Sequence, residues 1–285
     1  MSHPVILDAC TIINLLRIDD ENEEFLYNHI IGLNLHVAKK VHEEVKTNFN
    51  KNPLSENQQE YIDRCIVRLY NDLIPQNKIY TNEDIIINIT RKLFEELKTY
   101  GDKSYQKENG ELFSTALGLI VSRSEDDKIW FYTDDKPATE YFMPYFCYQQ
   151  IGTIMDTVDL LIYLYWTSPD FDKKRLEKYL QDLYSDINQP LKRMINEVQK
   201  IKDSFSNNNI NNGLRRNVND LIDSYYNLDI PKMENAIEAI KSSYTSSKVA
   251  TVISKYGNLL INSPLIIRIC KTKKDLNKYE VFKLK

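Results

Sequence analysis

Phe131-Tyr132-Thr133-Asp134-Asp135-Lys136-Pro137-Ala138 is the stretch on which the fold turns. An apolar run starting at Ile129 stops at Thr133, delivers two adjacent carboxylates and passes into Lys136, Pro137 and Ala138. A β-branched and aromatic run of this kind reads as a buried strand, a brief turn and a helix with Pro in its first turn. Carboxylates at such a strand end stand at the rim of an open α/β sheet, where that architecture binds its ligands. Judged alone, an Asp at a strand-to-helix junction is more often a helix cap than a metal ligand. The weight therefore falls on whether other acids reach the same rim.

Residues 4–8 repeat the pattern: Val5, Ile6 and Leu7 end in Asp8, and Thr11, Ile12, Ile13, Leu15 and Leu16 follow with the density of a sheet-packed helix. Here too the plain alternative for Asp8 is a cap. A second strand, residues 34–38, feeds a helix in which Val37, Val41 and Val45 recur at helical spacing and face the sheet. Glu44 adjoins that stripe and is expected half-buried, whereas Glu43, rotated by about 100°, points to solvent. Helices are predicted over residues 54–75 and 82–100 as covers without chemistry, followed by a polar break over 101–107. Residues 108–121 form a helix that begins with acid, and Glu111 opens its buried portion. Its plain alternative is a carboxylate favoured by the helix dipole, and spacing leaves the choice between Glu108 and Glu111 open. After Asp135 come a helix to about residue 146, a short strand over 149–154 and an apolar helix over 156–166. Pro169 then interrupts the periodicity, which divides the chain into domains 1–168 and 169–285.

A net charge of -4 and pI of about 5.7 exclude a generally basic nucleic-acid binder, but not a nuclease whose metal ions supply positive charge. With 7 glycines and neither a Walker sequence nor G-x-G-x-x-G, an ATPase or dinucleotide enzyme is disfavoured. The cysteines, Cys10, Cys65, Cys147 and Cys270, form no C-x-x-C pair, so a zinc knuckle or secreted disulfide framework is not indicated. A reducing cytoplasm, no leader and no membrane span are the expectation. The histidines all precede residue 43, so Ser or Cys hydrolysis is poorly supported, and His42 reads as a helix-surface residue. The acidic patch over residues 19–24 reads as a solvated turn and helix start.

The second half reads as mainly helical. Helical patterning over residues 172–205 is interrupted near Pro190, giving two helices or one kinked helix. Residues 206–213 form a polar low-complexity loop, and helices follow over 214–228, 231–244 and 247–260. The C-terminal stretch from Arg268 holds seven basic residues against Asp275 and Glu280. It suggests a hairpin around 275–278 that either touches RNA phosphates or is a solvated edge.

Taken together, Asp8, Glu44, Glu111 and Asp134, with Asp135 beside it, arrive at one sheet edge from separate elements. Crowded carboxylates repel, and hard, oxygen-preferring Mg²⁺ or Mn²⁺ would neutralise them. That is the arrangement of metal-assisted phosphoryl transfer.

In order as well as in kind, these motifs resemble the PIN-domain nuclease family. Val5 to Asn14 is similar to its first strand and acidic motif, and Val41-His42-Glu43-Glu44 to its second. Residues 110–119 resemble the third, Tyr132 to Ala138 the fourth, and residues 151–155 the closing glycine-threonine turn. The resemblance spans about residues 1–168; the second half shows none. It implies a Rossmann-like α/β/α sandwich with a central parallel sheet, and Mg²⁺- or Mn²⁺-dependent cleavage of single-stranded RNA. Asp8, Glu44, Glu111 and Asp134 would then be the catalytic and metal-binding acids, with Asp135 as an additional or alternative ligand. Thr11 and Thr133 would orient water or phosphate.

The leading expectation is thus a metal-dependent endoribonuclease, toxin-like or defence-associated. An inhibitory protein partner and homo-oligomerisation belong to the same expectation. The alternatives are a catalytically inactive PIN-like scaffold for RNA or protein, and a DNA-directed nuclease.

Overall fold

The computed structural model describes residues 3–20, 22–49, 56–73, 79–80, 83–100, 109–204, 212–256, 264–280 and 283. Glu108, the polar break over 101–107 and most of the tract over 206–213 lie outside them, although the helix after that tract already starts at Asn212. The chain divides into two compact units, Met1–Leu164 and Tyr165–Lys285.

The first unit is built on parallel strands. β1 (Val5–Leu7), β2 (Leu35–Ala38), β4 (Ile129–Tyr132) and β5 (Gly152–Met155) form its core, with a two-residue β3 (Ile79–Tyr80) at the edge; the order is β3-β2-β1-β4-β5. All pairings are parallel, with Leu7 opposite Tyr132 and Val5 opposite Leu35. Every residue of β1 and β2 is buried, which is why these strands read as continuous apolar runs rather than alternating ones.

The chain steps outward from β1 to β2 and β3, then returns across β1 to add β4 and β5. Strand order therefore reverses between β1 and β4, and Asp8 and Thr133 are the first residues beyond their paired carboxyl ends. In open α/β sheets such a reversal opens the crevice where ligands sit. At the outer edge, a Cβ on Gly152 would lie 1.9 Å from the Ile129 carbonyl oxygen, so only glycine lets β5 pair with β4 there.

Helices connect the strands: α1 (Ala9–Ile18), α2 (Phe25–Ile31), α3 (Lys39–Asn48), α4 (Glu56–Leu73), α5 (Glu83–Tyr100), α6 (Gly110–Ser124), α7 (Lys136–Tyr148) and α8 (Thr157–Thr167). Val41 and Val45 of α3 are buried while Glu43 is exposed, as the stripe predicts. Two expectations in this unit are corrected. Asp19 is not solvated but 8% exposed: its carboxylate accepts the backbone N–H groups of Leu26 and Tyr27 and the Tyr61 hydroxyl, tying the start of α2 to α4. His42 is not on the helix surface but 5% exposed, and burial holds its pKa below the ordinary value.

In the second unit, the described residues form only helices: α9 (Lys173–Ile187), α10 (Gln189–Asp203), α11 (Asn212–Asn227), α12 (Ile230–Ser243), α13 (Lys248–Tyr256) and α14 (Pro264–Glu280). Pro190 stands in the first turn of α10, where its missing N–H costs nothing, so the interruption makes two helices. The hairpin expected around 275–278 is overturned. Ile266, Ile269, Thr272 and Leu276 are buried at helical spacing, and Asp275 pairs with Lys278 at 2.8 Å one turn along α14. The division between the units falls within α8, ahead of the break at Pro169. Among the described residues no helix is long and apolar enough to cross a membrane.

Candidate metal centre

Three acids meet at the reversal point. Asp8, Glu44 and Glu111 each present a carboxylate oxygen, all within 4.8 Å of one another. Asp8 arrives on the end of β1, Glu44 from the second turn of α3, and Glu111 from the first turn of α6 behind the N-cap Asn109.

Asp8 is only 2% exposed. Its Oδ2 accepts the Thr133 hydroxyl at 3.2 Å and the Cys10 thiol at 3.0 Å, while its buried Oδ1 has no hydrogen-bond partner. Glu44 Oε1 accepts the backbone N–H of Gly110 at 2.9 Å. A Cβ on Gly110 would fall 2.4 Å from Glu44 Oε2 and 3.3 Å from Asp8 Oδ1. A side chain at residue 110 would thus displace the Glu44 carboxylate from its present position.

The electrostatics follow from this crowding. Burial, followed by the charges of Asp8, Glu44 and Asp135, pushes the Glu111 carboxyl up to about 7. Burial also raises Asp8 and Glu44, each more than its hydrogen bonds lower it. An unpartnered buried carboxylate oxygen and an all-oxygen set of mutually repelling acids fit a hard divalent cation of the Mg²⁺ or Mn²⁺ kind.

The adjacent aspartates at the end of β4 have separate surroundings. Asp134 stands outside the three-acid group: its Oδ1 accepts the Thr157 backbone N–H at 2.8 Å, and its Oδ2 accepts the Thr157 hydroxyl and, at 2.7 Å, the Asn14 side-chain amide. Its carboxyl is raised, by burial first. Asp135 caps α7, accepting the Ala138 N–H at 3.1 Å, and its charge is felt by Asp8 and Glu111.

The threonines expected to touch substrate sit inside. Thr133 is 2% exposed and bridges the acids, donating to Asp8 and accepting the Asp135 N–H at 3.2 Å. Thr11 is fully buried, with a hydroxyl that has no hydrogen-bond partner.

Sequence reasoning missed Cys10, Asn14, Gly110 and Thr157. Cys10 links both strand ends, since its thiol donates to Asp8 and its sulfur accepts the Asp134 N–H at 3.2 Å. The signal for Gly110 was present, a glycine directly before the first acid of a helix; the Asp134–Thr157 contact had no local signal.

Beside Glu44 and Glu111 opens a cavity of about 480 Å³, lined also by Lys40, Glu43, Thr47, Asn48 and Asn109. Fold and site together define a class: an α/β chain with an all-parallel sheet and a carboxylate cluster at its strand-order reversal. Comparison of the chain with family models, curated proteins and solved structures gives no match.

Proposed function

We propose that the chain is a divalent-metal-dependent nuclease hydrolysing phosphodiester bonds of single-stranded RNA, on a PIN-like α/β/α sandwich. The observation that supports this best is the meeting of Asp8, Glu44 and Glu111, together with a buried Asp8 Oδ1 that has no hydrogen-bond partner. The strand-order reversal supports the sandwich, because right-handed crossovers on either side of it put helices on opposite faces.

In this reading Asp8, Glu44 and Glu111 hold the ion, Asp135 adds negative charge beside them, and Thr133 and Cys10 occupy Asp8 Oδ2, which leaves Oδ1 for the ion. A bound Mg²⁺ or Mn²⁺ supplies an activated water at neutral pH and stabilises charge on the phosphate. Lys40, on the cavity rim, offers a cation to the substrate backbone, whose contacts position a nucleic acid without reading its sequence. RNA rather than DNA as substrate rests on the resemblance of the ordered acidic motifs.

The test is incubation of the purified chain with labelled single-stranded RNA and DNA, in Mn²⁺ or EDTA, beside Asp8→Asn, Glu44→Gln and Glu111→Gln. Cleavage should require the metal, favour RNA and fall at least about 100-fold in each variant, since changes one shell further out already cost 10- to 100-fold. Cutting that persists in chelator, or in Asp8→Asn, would overturn the assignment.

A further inference from the structure

A second cavity, of about 210 Å³, lies next to the acidic one and shares Lys40 and Glu43 with it. Its remaining lining differs in kind: Ile86 and Ile87 from α5, Phe113 from α6, and Ala38 and Lys39 where β2 becomes α3. Ile86 is 4% exposed, whereas Phe113 and Ile87 are only partly buried, so the apolar wall is open to the cavity. Phe113 lies two residues beyond Glu111 on α6, so the two side chains point to different sides of the helix, Glu111 into the acidic cavity and Phe113 into this one. Lys40 pairs with Glu43 at 3.8 Å, and both side chains are partly exposed to solvent.

We propose that this cavity is a seat for one unpaired nucleobase adjoining the metal cluster, with the base against Phe113, Ile86 and Ile87 and the backbone passing Lys40 towards Asp8, Glu44 and Glu111. The inference rests on the nuclease reading and adds to it the structural reason for single-strand selectivity. At about 210 Å³, below the roughly 300–1,000 Å³ of drug-sized sites, the half-open cavity has space between its walls for one ring system. Apolar and aromatic walls beside a cation suit a base attached to a phosphate, because every base has a π-face and every linkage a negative charge. A base seated between these walls has left its helix, so a paired strand must first give it up.

The experiment scans a single-stranded RNA decamer of one sequence with a single abasic residue at each position in turn, in Mn²⁺, and maps rate and cut site. Removing the base at one position beside the cut should slow cleavage about 10-fold, the size of effect that stacking one base supplies. Annealing a complement should slow it further. Phe113→Ala should erase the position dependence while leaving Mn²⁺ affinity, read by calorimetric titration, unchanged, and Phe113→Trp should restore it. Phe113→Leu, which keeps the bulk without the ring, gives the same reading if the alanine variant fails to fold. Wild-type cleavage indifferent to the abasic residue everywhere, or position dependence that survives the loss of Phe113, would overturn the seat and leave the nuclease reading standing. Absence of any metal-dependent cutting by the wild type would sink the nuclease reading, and the seat with it.

Discussion

Glu111 sits in the first turn of α6, where the helix dipole favours its charge, yet burial and the neighbouring acids push its carboxyl up to about 7. In the metal-free protein this carries a sign for stability. Below the ordinary glutamate value of 4.5 both folded and unfolded chains hold the proton, and no penalty applies. Between there and about 7 the unfolded chain ionises while the folded one keeps its proton, so stability falls as pH rises, and above that range the loss is complete. The raised carboxyls of Asp8 and Glu44 act in the same direction. Thermal melts in EDTA across this interval should show a falling transition temperature, and Glu111→Gln should flatten it. At Gly110 the argument is steric: Gly110→Ala places a methyl group against Glu44 and Asp8. Calorimetric titration should show Mn²⁺ affinity falling at least about 10-fold, in line with changes that disturb ligand placement. Of this residue-level picture, Asp8 and Glu44 were legible in sequence, because one ends an apolar run and the other adjoins a buried stripe, whereas spacing left the third acid open between Glu108 and Glu111. Their partners were not, because the Thr133–Asp8 and Glu44–Gly110 contacts join residues far apart along the chain.

Asp134 shows how an element's packing redirects a residue that local sequence leaves ambiguous. Sequence makes Asp134 and Asp135 equivalent neighbours at the end of β4, but α8 enters beside Asp134 and occupies both its oxygens through Thr157, with Asn14 of α1 joining in. Asp134→Ala should therefore cost about 1–3 kcal/mol in urea unfolding, the penalty for stranding buried donors. If the stability of the variant equals that of the wild type, this account of Asp134 fails. The same level explains which elements were readable. The long amphipathic helices were legible because periodicity accumulates over several turns. β3, with two residues, offers no periodicity to count. The C-terminal hairpin was misread because Asp275 and Lys278 look like turn polarity, whereas the buried Ile266, Ile269, Thr272 and Leu276 show them to be the outer face of a helix.

Across the whole chain the net charge is -4, and mutually repelling carboxylates are gathered at one point of the first unit. A ligand that binds only the folded state stabilises it by mass action. Mn²⁺ at 100 times its dissociation constant should add about 2.7 kcal/mol, visible as a rise in transition temperature, and Asp8→Asn should abolish that rise. Equal stabilisation of the wild type and Asp8→Asn would place the ion elsewhere.

Sequence by itself determined the parallel α/β character of the first unit, the helical second half and four strand or helix ends bearing acids, because each is written in runs and periods only a few residues long. Tertiary structure alone decided that strand order reverses between β1 and β4. It also brought Asp8, Glu44 and Glu111 within 4.8 Å of one another, turned Asp134 to α8, and opened a largely apolar recess that shares Lys40 and Glu43 with the cavity beside Glu44 and Glu111. The physical reason is that register, crossover and close approach are set by which surfaces bury each other, and no stretch of neighbouring residues contains both partners of such a contact.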